Sequence, residues 1–267
     1  MKEKNMLNID LQGRTALIGG ASRGIGRACA EVLAQAGARL ILLSRNPTDL
    51  QALKASLPHA EQHHILAVDL SNAAQSSQAL QTLLQTEKLD VHIWVNNSGG
   101  PAPGPAHTAS ADAYRQAFEQ HVVASQMILQ VLLPSMRKHQ YGRIINIIST
   151  SVREPIPNLG VSNTIRAAVA NWAKTLSREL APWGITVNNI LPGFTQTERL
   201  AQIIQKRAEQ AGCTFDEMAR QLSAQVPAGR FARPEEIAYA VAFLASPLAS
   251  YINGVHLAID GGRLHSA

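Results

Sequence analysis

Short apolar runs alternate with longer segments of helical periodicity along most of the 267-residue chain. Seven of these runs have the length and flanking turn residues of buried β-strands, and they lie at residues 15–18, 38–43, 65–68, 91–95, 143–148, 186–191 and 255–259. Helical patterns separate them, at residues 73–85, at 162–180, and from about Asp112 towards Pro134. Strands that alternate with helices predict right-handed βαβ crossovers and a parallel sheet that is covered on both faces.

The whole chain is predicted to form one domain, because neither an internal repeat nor an interdomain linker interrupts this alternation. The expected fold is α/β, a single doubly wound (Rossmann-type) domain of residues 1–267 with a seven-stranded parallel sheet. Ligands of such folds bind beyond the carboxyl ends of the strands. Residues 198–225 contain helical patterns but no strand. We expect them to form a helical lid over the substrate, although a rigid pair of packing helices fits the same pattern.

The first strand leads into a glycine-rich turn and then into an alanine-rich helical pattern. Gly20, Gly24 and Gly26 would let the backbone turn tightly, approach a pyrophosphate closely and pack the helix onto the strand. The following helix would offer free N–H groups and the positive end of its dipole to the phosphates. A plain strand-to-helix connection could have the same spacing, so the turn alone does not establish dinucleotide binding.

The second strand ends in Ser44-Arg45. In dinucleotide-binding folds an acidic residue at this place binds the ribose 2′-hydroxyl of NAD, whereas a basic residue accommodates the 2′-phosphate of NADP. Ser44 removes the acid, Arg45 supplies a cation, and Arg23 in the glycine turn can supply another. These residues favour NADP(H) over NAD(H), the alternative being that both arginines are simply solvated.

Composition argues against several other classes of function. The formal net charge is +5, but lysine and arginine are spread along the chain with few aromatic residues, which is not typical of nucleic-acid binding. Cys29 and Cys213 form neither a disulfide framework nor a metal-ligand spacing. No apolar run has the length of a membrane span, and the charged start of the sequence leads into no signal-type segment. We expect a soluble, cytoplasmic protein with no nucleic-acid partner, membrane partner or metal.

Six short motifs punctuate the chain, namely Gly20-x-x-x-Gly24-x-Gly26, Asp69-Leu70, Asn96-Asn97-Ser98-Gly99, Ile147-Ile148-Ser149, Pro192-Gly193 and Asp260-Gly261-Gly262. Their order and spacing resemble the short-chain dehydrogenase/reductase family across essentially the whole chain. The general layout is most similar to that of 3-oxoacyl-carrier-protein reductases. The resemblance implies a fold that binds a nicotinamide dinucleotide and an enzyme that transfers a hydride to a carbonyl or from an alcohol.

The same resemblance implies a set of residues that bind the cofactor. Asp69 would contact the adenine, Asn97 would lie beside the cofactor, and Thr195 and Thr197 would face the nicotinamide carboxamide or the diphosphate. The full set is Gly20, Ser22, Arg23, Gly24, Ile25, Gly26, Ser44, Arg45, Asp69, Leu70, Asn97, Gly99, Pro192, Gly193, Thr195 and Thr197. Any one of these residues could instead belong to the scaffold.

The catalytic residues of the family are only partly present. The family uses Asn, Ser, Tyr and Lys, the last two as Tyr-x-x-x-Lys on one helix face, where the lysine charge lowers the pKa of the tyrosine. Ser149 occupies the serine position, but Ser162 stands where tyrosine is expected and Arg166 where lysine is expected. His121 stands at the position of the asparagine. The expected catalytic set is therefore Ser149, Ser162, Arg166 and His121.

These replacements leave the proton donor undefined. An aliphatic hydroxyl is a far weaker acid than a phenol and a guanidinium stays protonated, so Ser162 and Arg166 could position a substrate without donating a proton. Loss of a general acid slows an enzyme roughly 10²–10⁴-fold. His121, with a suitable intrinsic pKa, and Glu154, just past Ser149, could take its place. The alternatives are helix packing for His121, a surface ion pair for Glu154, water held by the serines, or a substrate that activates itself.

Two functions fit the sequence. The first is an NADP(H)-dependent oxidoreductase that passes a hydride between the nicotinamide and a small-molecule carbonyl or acyl thioester held near Ser149 and Ser162. The second is a non-catalytic regulatory or scaffold protein that binds NADP, which would explain an intact cofactor half beside an altered catalytic half. The resemblance also implies a homotetramer built partly on the long helices around His121 and Trp172.

Overall fold

A seven-stranded, all-parallel sheet forms the centre of the molecule. The computed structural model describes residues 9–266. The strands are β1 (Thr15–Gly19), β2 (Arg39–Ser44), β3 (His64–Ala67), β4 (Ile93–Asn96), β5 (Gly142–Ile147), β6 (Ile185–Pro192) and β7 (His256–Ile259). Their order in the sheet is β3-β2-β1-β4-β5-β6-β7. The chain therefore winds in opposite directions from β1, which confirms the predicted doubly wound α/β fold and places a switch point between β1 and β4.

Helices connect the strands and cover the sheet. In chain order they are α1 (Gly24–Gln35), α2 (Pro47–Ser56), α3 (Ala73–Thr86), α4 (Ala111–Phe118), α5 (Ala124–Lys138), α6 (Gly160–Leu180), α7 (Glu198–Ala211), α8 (Phe215–Ala224) and α9 (Pro234–Ala245). A π-helical turn, Glu119–Val123, joins α4 to α5. The strands agree with the predicted runs to within two residues at each end.

Successive residues of a strand face opposite layers of helices, as a sheet buried on both faces requires. Leu40 and Leu42 of β2 belong to a core shared with α1, α2 and α9. Ile41 and Leu43 belong to a second core, shared with α3, α5 and α6. Both faces of the strands are therefore apolar, which is why they appear in the sequence as continuous runs rather than as alternating patterns.

The helical region before β5 differs from its prediction. Ser110, not Asp112, caps α4, because the Ser110 hydroxyl accepts a hydrogen bond from the Ala113 amide at 3.2 Å. The single helix expected there is divided by the π-helical turn, and α5 continues past Pro134 to Lys138. The helix continues there although a proline cannot donate the helical hydrogen bond.

Helix α2 was not predicted from the sequence. Only Leu50 and Leu53 of its ten residues are buried, so its apolar periodicity is weak. Its start was nevertheless signalled, because Pro47 occupies the first turn and the Asn46 side chain accepts a hydrogen bond from the Thr48 amide at 3.0 Å. Capping residues were a better guide here than hydrophobic periodicity.

Residues 198–225 form the helical pair α7–α8, which follows β6. This pair has a small core of its own, formed by Leu200, Ile204, Ala208, Met218 and Leu222. Gly212, with φ +67°, ends α7, and a capping box between Thr214 and Glu217 begins α8. The helices expected in this segment are present, and movement of the pair as a lid stays a prediction. No helix within residues 9–266 is long and apolar enough to cross a membrane.

Candidate active site

The turn between β1 and α1 leaves the N-terminus of the helix open. Gly20 and Gly24 have φ +59° and +54°, and a Cβ on Gly26 would lie 2.1 Å from the Gly20 carbonyl oxygen. Ser22 is half-buried in the turn, whereas Ile25 packs against the core. No side chain caps α1, and its first turn contains no acidic residue. The free N–H groups and the positive dipole end are therefore available to a phosphate.

Asn97, directly after β4, braces the glycine turn. Its side-chain amide donates to the Gly19 carbonyl oxygen at 3.0 Å, and a Cβ on Gly20 would lie 2.7 Å from the same amide nitrogen. Leu70 also has a scaffold role, since it packs against the core beneath α3 and α5. The carbonyl oxygen of Gly99 accepts a hydrogen bond from the Gln120 side chain at 3.1 Å. These contacts fix the switch point between β1 and β4.

The end of β2 contains an unsatisfied polar atom. The Ser44 hydroxyl oxygen is buried and has no hydrogen-bond partner within residues 9–266. Arg45 beside it is exposed, as is Asp69, whose carboxylate accepts a hydrogen bond from the Ser71 amide at 3.0 Å. A buried polar group without a partner costs about 1–3 kcal/mol. A ligand hydroxyl or phosphate at this end of the sheet would satisfy Ser44, which fits the cofactor site expected there.

The beginning of α7 lies on the glycine turn. The Arg23 guanidinium pairs with the Glu198 carboxylate at 2.9 Å, and the two side chains are 64% and 66% exposed. The Thr197 methyl group would lie 3.1 Å from a Cβ on Gly24. Arg23, expected to bind the 2′-phosphate, therefore contacts the first residue of α7 in this structure.

In the segment between β6 and α7, the polar groups form hydrogen bonds within the protein. Pro192 ends β6, and the Gly193 amide donates to the Ile259 carbonyl oxygen at 2.9 Å. The Thr195 hydroxyl donates to the Gly193 carbonyl oxygen at 3.2 Å, and the Thr197 hydroxyl accepts from the Leu200 amide at 3.3 Å. The two threonines thus shape the loop and cap α7, and their contact with the cofactor stays a prediction.

Two serine hydroxyls lie at the same edge of the sheet. Ser149 follows β5 and is half-buried, and its hydroxyl accepts a hydrogen bond from the Ser151 amide at 3.0 Å. Ser162 is half-buried in the first turn of α6. Ile148 and Val169 belong to one small core, so α6 packs on the segment that carries Ser149. Ser149 and Ser162 therefore stand on elements that pack together beyond the carboxyl end of β5.

Arg166 is a buried cation that spans the ends of two strands. It is 9% exposed, its Nη1 donates to the Ile147 carbonyl oxygen at 3.0 Å, and its Nη2 donates to the Ser98 carbonyl oxygen at 3.4 Å. Burial, and to a lesser extent the charge of Arg199, lower the pKa of Arg166 to about 10, so it stays charged at neutral pH. The cation of the expected Lys position is thus retained.

His121 lies in the π-helical turn, a structure that is frequent at functional sites. It is 4% exposed, its Nδ1 lies 3.0 Å from the Ser98 hydroxyl, and its buried Nε2 has no hydrogen-bond partner. Burial and the charge of Arg166 lower the pKa of His121 to about 3. Burial therefore moves the pKa of His121 well below the intrinsic value on which the sequence-based hypothesis rested, and the ring is neutral at physiological pH.

Glu154 binds the C-terminal segment. Its Oε1 accepts hydrogen bonds from the amides of His265 at 2.7 Å and Ser266 at 2.9 Å. These hydrogen bonds lower the pKa of Glu154. A carboxylate that is ionised and held by the backbone is poorly suited to donate a proton, so the structure removes support from this sequence-based alternative.

Three functional features escaped sequence reasoning. Ser98, although part of a quoted motif, was not assigned its contact with His121, and Arg199 gave no signal in the residue spacing. The third is a row of buried amides across β4, β5 and β6, in which Asn96 donates to Asn146 and Asn146 to Asn189, each at 2.9 Å. An asparagine near the end of three apolar runs was the available signal. This row fixes the strand ends that carry the site.

A parallel doubly wound sheet with an open glycine turn at its switch point defines a dinucleotide-binding protein. A family profile described as enoyl-(acyl carrier protein) reductase matches residues 20–263. The NADPH-dependent reductase BacG of Bacillus subtilis (strain 168) is 34% identical over 257 residues, which are 95% of this chain and 98% of BacG. The 3-oxoacyl-(acyl-carrier-protein) reductase FabG of Vibrio cholerae is 35% identical over 256 residues, again 95% and 98% of the two chains.

Solved structures with a similar fold are also reductases, like the sequence relatives. The crystal structure of YwfH, an NADPH-dependent reductase involved in bacilysin biosynthesis, has a TM-score of 0.89 and 32% identity, covering 95% of this chain and 99% of YwfH. L-sorbose reductase from Gluconobacter frateurii, complexed with NADPH and L-sorbose, has a TM-score of 0.91 and 28% identity, covering 98% and 100%. The chain belongs to the short-chain dehydrogenase/reductase family, as its motifs indicated.

Proposed function

We propose that this chain is an NADP(H)-dependent oxidoreductase that reduces a carbonyl or oxidises an alcohol by hydride transfer. The observation that carries the proposal is the open glycine turn, which lies at the same sheet edge as Ser149, Ser162 and Arg166. Relatives named as NADPH-dependent reductases, alike over nearly the whole chain, support it. When bound, the cofactor supplies or accepts the hydride.

The residues around the glycine turn support NADP(H) rather than NAD(H). The unpaired Ser44 hydroxyl and the exposed Arg45 end β2 without an acidic residue. The ion pair of Arg23 with Glu198 is largely exposed, and such pairs contribute only about 0–1 kcal/mol. Arg23 can therefore exchange this partner for a 2′-phosphate at little cost in stability.

The chain's own residues hold the reacting carbonyl. The hydroxyls of Ser149 and Ser162 donate to its oxygen, and the Arg166 charge stabilises the negative charge that develops there. His121 acts as a neutral donor: with the Ser98 hydroxyl donating to Nδ1, the proton resides on Nε2, which has no other partner. Water ordered by the serines completes proton delivery, since a pKa of about 3 leaves no imidazolium at neutral pH.

The substrate is a small-molecule carbonyl or an acyl thioester. Relatives named as 3-oxoacyl-(acyl-carrier-protein) reductases support the thioester, and the helical pair α7–α8 would close over either substrate as a lid. The enzyme would work in the cytoplasm, where thiols such as those of Cys29 and Cys213 stay reduced. We propose neither a nucleic-acid partner nor a membrane partner.

A homotetramer is the assembly we propose. Four exposed apolar residues lie in the edge strand β7 or shortly before it, and we treat them as one apolar patch: Leu248, Tyr251, Val255 and Leu257. An apolar edge strand of this kind pairs readily with a second copy. Trp172, half-buried beside Trp94, adds apolar surface on α6 as the sequence suggested.

The second candidate, an NADP-binding regulatory or scaffold protein, is favoured by one observation. The Tyr141 hydroxyl is bound to the Ala245 carbonyl oxygen in the core, and Tyr239 and Tyr251 are exposed, so these tyrosines do not replace the missing phenol. NADPH binding and NADPH consumption, measured with ketones, quinones and 3-oxoacyl thioesters, separate the candidates. Consumption with any of them supports the oxidoreductase, whereas tight binding without consumption supports the regulatory protein.

A further inference from the structure

Two arginines, one at the sheet edge and one at the start of α7, have no acidic partner among the described residues. Within residues 9–266 neither Arg166 nor Arg199 forms an ion pair with a carboxylate. The charge that affects the titration of Arg166 is that of Arg199, another cation. A buried cation without a counter-charge is costly, so a group of opposite charge is needed for full stabilisation.

Both guanidinium groups contact the same short loop, residues 98–101. Arg166, from α6, donates to the Ser98 carbonyl oxygen and lies 3.5 Å from a Cβ built on Gly100. Arg199, from the first turn of α7, donates to the Pro101 carbonyl oxygen at 3.0 Å. One arginine thus belongs to the sheet edge and the other to the lid, with the loop between them.

The His121 ring, beside the same loop, has one nitrogen without a hydrogen-bond partner among the described residues. His121 is bound to Ser98 through Nδ1, and its Nε2 is buried with no hydrogen-bond partner. The Arg166 charge is close enough to depress the titration of the ring. A neutral imidazole, a buried cation and a lid cation therefore surround the residues that follow β4.

We propose that Arg166 and Arg199 bind a carboxylate of the substrate, so that the enzyme acts on an oxo acid in preference to an uncharged ketone or ester. The inference rests on the proposed oxidoreductase function and narrows its substrate class. A guanidinium carries five N–H donors in a planar fork that matches a carboxylate, and Arg166 uses only two donors on the carbonyl oxygens described above.

The cofactor, when bound, would not neutralise this charge. Its phosphates would lie at the N-terminus of α1, and the nicotinamide ribose carries no negative charge. A substrate carboxylate would be held by Arg166 and reached by Arg199 as the lid closes, because Arg199 is exposed and can exchange its one described contact. The serine hydroxyls remain free for the reacting carbonyl oxygen.

Matched acids and esters test the proposal. NADPH oxidation is measured with 2-oxobutanoate, 4-oxopentanoate and 5-oxohexanoate, each beside its methyl ester. Calorimetry of the full chain saturated with NADP⁺ compares pentanoate with methyl pentanoate. We expect at least one acid to exceed its ester about 10-fold to 100-fold in kcat/KM, and pentanoate to bind more tightly by a similar factor.

Variants assign the effect to the arginines. R199Q, at the exposed start of α7, should lower the acid-to-ester ratio of kcat/KM about 10-fold, chiefly by raising the KM of the acid, and R166K should retain more of this ratio than R166Q. Lys206→Gln removes an equal charge from the same helix and should leave the acid-to-ester ratio of kcat/KM unchanged. The proposal would be overturned if every ester matched its acid in kcat/KM, or if R199Q lowered kcat/KM equally for acid and ester. Arginine-dependent pentanoate binding without any NADPH oxidation would support the anion site while the proposed oxidoreductase function fails.

Discussion

His121 has chemical properties that its residue type does not reveal. In the π-helical turn it is nearly fully buried beside a cation, and its pKa falls from 6.5 to about 3. A neutral ring donates from Nε2 without first taking up a proton, so its function does not depend on the ordinary titration of histidine. His121, which the sequence offered as one possible proton donor, would in the proposed function act at neutral pH as a hydrogen-bond donor and not as an imidazolium.

This difference in pKa makes stability depend on pH. Below pH 6.5 the unfolded chain binds a proton at His121 that the folded protein does not bind until about pH 3, so acid destabilises the fold. Between pH 7 and pH 5 the free energy of unfolding of the native chain should fall by about 2 kcal/mol more than that of His121→Asn. Urea denaturation at both pH values measures this difference.

The exposed His107 supplies the control for this experiment. His107→Asn should retain the steep pH dependence of the native chain. An equal loss of stability in the native chain and in His121→Asn would show that His121 titrates normally in the fold.

The positions of the proposed catalytic residues could be assigned from the sequence, but their contacts could not. Ser162 and Arg166 follow from their distance to Ser149 along the chain. The contact of His121 with Ser98 joins residues from two elements, and whether Nδ1 or Nε2 is occupied depends on packing that no local pattern encodes. Residue type therefore predicted a function, and burial decided which form of the side chain performs it.

In the proposed function, cofactor binding depends on the connection of β1 to α1. A Cβ on Gly26 would lie 2.1 Å from the Gly20 carbonyl oxygen, so Gly26→Ala must displace the helix from the turn. We expect NADPH affinity to fall at least about 10-fold, because the N–H groups of α1 leave the phosphate site. Titration of NADPH fluorescence provides the measurement.

Gly104→Ala is the matched substitution, since a Cβ at Gly104 would meet no atom within 4 Å and the residue does not have a positive φ. Its NADPH affinity should equal that of the native chain. If Gly26→Ala bound NADPH as well as Gly104→Ala, the glycine turn would not be the cofactor site.

In the proposed function, Glu198 in the first turn of α7 competes with the 2′-phosphate of the cofactor for Arg23. Glu198→Gln removes the ion pair that holds Arg23 and leaves Arg23 free for a 2′-phosphate. An exposed pair contributes up to about 1 kcal/mol, so NADP⁺ affinity should rise up to about 5-fold while NAD⁺ affinity stays unchanged. Calorimetry with both nucleotides measures the ratio.

Salt provides the internal control for Glu198→Gln, because screening should reduce the gain in NADP⁺ affinity at high ionic strength. A gain shared equally by NADP⁺ and NAD⁺ would contradict the assignment of Arg23 to the 2′-phosphate.

At the scale of elements, the strands were predicted better than the helices. Continuous apolar runs identify strands buried on both faces, and the boundaries agree to within two residues. Helix α2 buries too few residues to show periodicity, and the π-helical turn inserts an irregularity that 3.6-residue periodicity cannot represent. Sequence patterns report burial, so elements with little burial or irregular geometry escape them.

The assembly of the whole molecule is predicted from its exposed apolar patch beside β7. Leu257→Asp places a charge on this edge strand and should convert the homotetramer into a smaller species. Sedimentation equilibrium gives the mass. Phe215→Asp, at an exposed apolar residue of the lid, should leave the mass unchanged. A native chain that sediments as a monomer would contradict the assembly.

The place of the candidate site in the fold could be predicted from the sequence, but the contacts between its side chains could not, because they join distant parts of the chain. The motifs identified the sheet edge, because parallel strands bring their carboxyl ends to one side. The pairing of Arg23 with Glu198 and of Arg199 with Pro101 depends on how the lid packs, which no short-range pattern specifies. The substrate class inferred from the two arginines therefore required the folded molecule.

The central claim, that this site transfers a hydride without a tyrosine, is tested by the NADPH consumption of three proteins. These are the native chain, Ser149→Ala, and a double variant with Ser162→Tyr and Arg166→Lys, each assayed with ketones, oxo acids and 3-oxoacyl thioesters. We predict turnover by the native chain and a loss of roughly 10²–10³-fold in Ser149→Ala, which removes a donor to the carbonyl oxygen. Turnover by the double variant alone, with a silent native chain, would contradict the claim.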